Sequence, residues 1–191
     1  MKFDGRIYKI EGASDLEDSS MFCGLISLFE YKKVDLLYFI VFGTGWSNYV
    51  RHPYGPKYSF SRDQYLCLSA GLCKQHLYSY VNEEWISGKD LLSPANHGHT
   101  KRCQGLKANW FQNLWLKAEI LFHAYVKPID EPNQLIAMMI VAGDDYLKLW
   151  TKHNKQWERS LRKYWYQEDG AWRNEPEFCE HMISEITKRI K

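Results

Sequence analysis

Apolar residues recur at three- and four-residue steps along most of the chain, the spacing of helices that bury one face. In residues 15–32, DLEDSSMFCGLISLFEYK, Leu25, Ile26 and Phe29 share a side, and Ser14 with Glu17 has the capping-box spacing that starts a helix. A second short helix or buried segment is expected from Leu36 to Phe42. Pro53, Gly55 and Pro56 then forbid regular structure, until Ser61 with Gln64 announces a helix over Arg62 to Val81. An irregular region, Ser87 to Gly105, leads into LKANWFQNLWLKAEILFHAYV, where Leu106, Trp110, Leu114, Ala118, Leu121 and Tyr125 form the stripe expected to face the core. Pro132 opens a long helix over 133–166 with Gly143 as a break point. Its second half sets Leu147, Trp150, Trp157, Leu161 and Tyr164 against a cationic row of Lys148, Lys152, Lys155, Arg159 and Arg162. A last helix starting at Asn174, with Pro176 in its first turn, turns Phe178, Met182, Ile183, Ile186 and Ile190 inward. Phe3, Ile7 and Ile10 suit a short strand or an extended lead-in. The pattern predicts a mainly α fold, a single helical domain over residues 1–191 with about six helices packed as helical hairpins.

Composition changes this picture in one respect. The chain is 45% hydrophobic and 25% charged, ordinary for a globular domain, but 16% aromatic, with 8 Trp and 13 Tyr. Rings in that number either fill a helical core or line a groove that stacks on flat ligands such as sugars and bases. Trp110, Trp115, Trp157 and Trp165 are expected in the core. A formal net charge of +2 gives little support to nucleic acid as a partner. The five cysteines, 23, 67, 73, 103 and 179, are odd in number and form no CxxC pair, so reduced thiols are expected. Residues 1–18 lack the apolar core of a signal peptide, and Val34 to Gly43 is too short to span a bilayer. No P-loop, GxGxxG or GxSxG is present, and no cofactor is expected.

Three stretches could carry chemistry. In RHPYGPKYSFSRDQ, Arg51 to Gln64, Asp63 sits at a helix start, where the dipole favours it and Gln64 can cap. The functional reading makes Asp63 a general acid or base, oriented by Arg62 or Arg51, with His52 and Tyr58 lining the pocket and Gln64 beside it. Glycoside hydrolysis needs two carboxylates, and Asp15 or Asp18, with Asp18 taken as the catalytic partner, is the available second one. In NHGHTKRC, His97 and His99 with Cys103 could ligate a metal. That stretch is expected instead to be an exposed polar loop without metal. The row from Lys148 to Arg162 could follow a phosphate backbone or an acidic protein, or form a solvated face.

The segments DSSMFCGL and VRHPYGPKYSFSRDQ, followed by LSAGL, resemble a family of uncharacterised bacteriophage proteins with an Arg-His-Pro segment followed by Ser-Arg-Asp-Gln. The resemblance covers about the first 75 residues, the scale of half a domain, and implies a phage origin and an all-helical fold. The Arg-Asp pair at a helix start is also similar to that of α/α-toroid glycosidases, which implies a partial α/α-toroid-like arrangement around a carbohydrate cleft. On these grounds the chain is expected to be a phage accessory protein, in the host cytoplasm or associated with the virion, that recognises or cleaves carbohydrate. The alternative is a non-enzymatic interaction protein, a virion component or an inhibitor of host defence, acting through aromatic and cationic surfaces.

Overall fold

The computed structural model describes residues 2–3, 8–9, 19–40, 49–50, 62–81, 94–125, 133–166 and 175–191, with 2–3, 8–9, 62–63, 94–97 and 100 described in backbone only. Among the described residues eight α-helices pack together in one domain: α1 Ser19–Leu28, α2 Arg62–Lys74, α3 Pro94–Cys103, α4 Trp110–Tyr125, α5 Asn133–Ala142, α6 Asp144–His153, α7 Trp157–Trp165 and α8 Pro176–Ile190. A small antiparallel ribbon of β1 Lys2–Phe3 and β2 Tyr8–Lys9 lies ahead of them.

Every residue of α1 is buried, as expected of a helix that is apolar almost all round. It lies against α2 with backbones touching. A Cβ on Gly24 would stand 2.3 Å from the Cys67 carbonyl oxygen, and a Cβ on Gly71 would stand 2.6 Å from the Gly24 carbonyl oxygen. Further along, Ser27 Oγ donates to the Gly71 carbonyl at 3.4 Å, and Gln75 Nε2 donates to Ser27 Oγ at 2.9 Å. Residue numbers rise together on the two helices, so α1 and α2 are parallel. The expected succession of antiparallel hairpins does not hold at this first pair.

The region read as irregular contains α3, whose residues run alongside α2 in the same sense. Cys103 Sγ is 3.5 Å from the Ser69 carbonyl oxygen, and Cys103 is bonded to Cys73. This disulfide replaces two of the five thiols expected to be free; Cys23, Cys67 and Cys179 remain reduced and buried. A reciprocal pair starts α4: Asn109 N donates to Gln112 Oε1 at 2.9 Å, and Gln112 N donates to Asn109 Oδ1 at 2.8 Å.

The long helix expected over 133–166 is three helices. Gly143, at φ 124°, separates α5 from α6, a conformation other residues avoid. Residues 154–156 separate α6 from α7, and Gln156 N donates to Asn154 Oδ1 at 3.2 Å. The apolar row is buried as read, Leu147, Trp150, Trp157, Leu161 and Tyr164 all inside. It meets α1 through α8: Phe22 lies 5.2 Å from both Trp165 and Phe178, ring centre to ring centre, at edge-on and tilted angles that aromatic pairs favour. On α8, Phe178, Met182, Ile183 and Ile186 are buried as the spacing predicts.

The α4 stripe is the main reversal. Its buried positions are Gln112, Leu116 and Ile120, whereas Leu106, Trp110, Leu114 and Tyr125 of the predicted core row are exposed. Trp157 and Trp165 are core residues as expected, and Trp110 and Trp115 are not. Among the described residues no helix is long and apolar enough to cross a membrane.

Candidate functional site

Parallel packing puts the starts of α1 and α2 side by side. The start of α5 joins them, since Asn133 Nδ2 reaches Met21 Sδ at 3.8 Å. Three helix N-termini with outward-pointing amides therefore meet at one end of the central pair, an arrangement that favours negative charge and hydrogen-bond acceptors. The side chains there are polar and wholly buried: Ser19, Ser20, Gln64 and Asn133. Among the described residues Ser19 Oγ, Ser20 Oγ and Asn133 Oδ1 have no hydrogen-bond partner. Burying such groups unpaired costs about 1–3 kcal/mol each, and native folds tolerate this where a site needs the groups.

Of the residues singled out in the sequence, Asp18, Arg51, His52 and Tyr58 lie outside the described residues, as does Asp15. Arg62 and Asp63 occupy the first turn of α2, described in backbone only. Gln64 is buried in that turn. Sequence reasoning missed Ser19, Ser20 and Asn133. The available signal was small polar residues at helix starts, which reads equally well as ordinary capping.

His99 is not on an exposed loop. It is wholly buried on α3, beside the Leu66 backbone, and its pKa falls to about 4. Burial is the main cause, the neighbouring Arg102 charge adds to it, and the Leu66 backbone opposes it by less. The side chain of His97 lies outside the described residues. Among the described residues no group of three His, Cys, Asp or Glu side chains could hold a metal.

A half-open hollow of about 310 Å³ lies between the C-terminal end of α4 and the α6–α7 junction, lined by His123, Tyr125, His153, Lys155 and Ser160 among others. Tyr125 Oη and His153 Nδ1 are hydrogen-bonded across it. The cationic row does not form one helical face, because the chain breaks between Lys152 and Lys155. Lys148, Lys152, Lys155 and Arg159 are exposed. Arg162 is engaged: its Nε donates to Glu180 at 2.8 Å and its Nη1 to Glu158 at 3.1 Å. Arg162 and Tyr166 together hold the Glu180 carboxyl down at about 2.

The outward face of α4 is apolar over its whole length. Trp110, Phe111, Leu114, Trp115, Phe122 and Tyr125 are all exposed there.

No family model matches the chain, and neither a curated protein nor a solved structure matches it. The bacteriophage and viral assignment suggested by the Arg-His-Pro and Ser-Arg-Asp-Gln segments therefore has no support and is withdrawn, leaving an all-α helical protein.

Proposed function

We propose that this protein binds carbohydrate where α1, α2 and α5 begin, with Ser19, Ser20, Gln64 and Asn133 beneath the ligand and Arg51, His52, Tyr58, Arg62 and Asp63 around it. The observation that carries the reading is the set of three unpartnered, wholly buried polar atoms, Ser19 Oγ, Ser20 Oγ and Asn133 Oδ1, at converging helix starts. Hydroxyls that donate and accept, beside an amide oxygen that accepts, match the mixed donors and acceptors of a sugar.

Glycoside cleavage is the chemical extension. Asp18 immediately precedes α1 and Asp63 is the second residue of α2. Parallel helices in backbone contact have axes separated by about 8 Å, and paired carboxylates act at separations of about 5–10 Å. The parallel pair thus supports Asp18 and Asp63 as acid and base or nucleophile. It also supports a partial α/α-toroid-like arrangement, in which the helices surrounding the cleft run in one direction.

Calorimetry with a panel of soluble oligosaccharides, with product analysis, tests the reading. Binding weakened in Ser20→Ala, and retained without cleavage in Asp63→Asn, is the expected result. If no oligosaccharide binds the wild-type protein, the reading is overturned. A second reading, an interaction protein, is favoured by the exposed aromatic face of α4.

A further inference from the structure

The outward face of α4 is larger than its inward one, and its residues are arranged symmetrically. Phe111, Leu114, Ala118, Phe122 and Tyr125 are all exposed and follow one another at steps of three, four, four and three, so the stripe reads the same in both directions about Ala118. On a helix these positions form a single ridge with a small residue at its midpoint. Trp110 and Trp115 widen the ridge, with Trp110 75% exposed, Tyr125 66%, Leu114 54% and Phe122 52%.

Rings of about 150–250 Å² each at these exposures, with Leu114, amount to about 700 Å² of apolar surface. The largest patch on an ordinary monomer is about 300–600 Å², and one side of a stable protein complex buries about 800 Å². The ridge alone approaches what a dimer requires. The charged residues of α4 are Lys117 and Glu119, which lie at its flanks, so two copies of the ridge can meet without opposing like charges at the centre. Interfacial membrane helices instead carry a cationic polar face; the opposite face of α4 packs on its own protein through Gln112, Leu116 and Ile120.

We propose that α4 is the interface of a homodimer. Two copies pack antiparallel about a two-fold axis through Ala118, with Phe111 against Tyr125 and Leu114 against Phe122 of the second copy. Such a contact is self-complementary, as a two-fold interface must be. It is independent of the carbohydrate reading.

Sedimentation velocity of the full chain at micromolar concentration tests it, since the 22.7 kDa protomer should sediment with twice that mass. Ala118→Arg and Leu114→Glu, both at exposed helical positions, should give monomers with unchanged far-UV circular dichroism, while Lys148→Glu leaves the dimer intact. Ala118→Cys should cross-link to a dimer on oxidation, because Cys23, Cys67 and Cys179 are buried. A wild-type protein that is monomeric throughout the micromolar range overturns the proposal, whether the face then binds vesicles, another protein or another part of its own chain. So does a dimer that survives Ala118→Arg, or a failure of Ala118→Cys to cross-link.

Discussion

Gly24 and Gly71 meet backbone to backbone: a Cβ on Gly71 would lie 2.6 Å from the Gly24 carbonyl oxygen and 2.9 Å from its Cα. Both figures are shorter than any Cβ contact a fold sustains, and the opposing atoms are main chain, which cannot swing aside. Alanine is the better helix former by about 1 kcal/mol, but overpacking costs about 1–3 kcal/mol, and here it acts on two rigid helices. Gly71→Ala is therefore expected to destabilise the protein by about 2 kcal/mol or more, read as a lower urea midpoint. An unchanged midpoint would show that the pair can separate freely.

His99 predicts an acid-sensitive fold. Its folded pKa of about 4 lies below the ordinary 6.5. The unfolded chain therefore takes up this proton first as pH falls. The associated stability is complete above about pH 6.5, declines between about 6.5 and 4, and is lost by no more below that, about 3 kcal/mol in all. Glu180 acts in a lower window, from about 4.5 to about 2. Denaturant unfolding at a series of pH values should show the first decline, and His99→Leu should flatten it.

Cys73 and Cys103 are 30 residues apart. Cross-linking a loop of that length stabilises by about 3–4 kcal/mol in the chain-entropy account. Reduction, or the double substitution Cys73→Ser with Cys103→Ala, should lower the melting temperature. Alkylation in denaturant without reductant should label three cysteines, and five after reduction. Five labelled without reductant would show that the bond does not form.

Ser20 tests the buried polar end of the central pair by stability. A hydroxyl that is buried and unpartnered contributes nothing to the fold, so Ser20→Ala should leave stability unchanged or raise it by about 1 kcal/mol. A fall of that size in thermal or urea unfolding would mean that the hydroxyl is satisfied within the protein.

Periodicity identified α8 and the apolar row of α6 and α7 well, because each has one face rich in large side chains and that face is the buried one. It reversed α4 for a physical reason: spacing shows which residues share a side, not which side the protein covers. The inward side, Gln112, Leu116 and Ile120, is poorer in apolar residues than the outward one. The helix α3 escaped notice because PANHGHTKRC carries almost no apolar pattern, and packing against α2 and α4 overrides its composition. At the candidate site, Gln64 was legible as part of a helix-start motif. Ser19, Ser20 and Asn133 were not, since what distinguishes them from ordinary caps is the meeting of segments far apart in sequence.

The parallel run of α1 beside α2 also bears on how the chain folds. Leu28 ends one helix at the end of the pair opposite to Arg62, which begins the other, so no tight turn can join them and their contact must await closure of a long loop. The C-terminal helices α6 to α8, joined by shorter links and with α6 and α7 both packed on α8, are expected to acquire amide-exchange protection earlier in refolding than the glycine-lined centre against which they finally close.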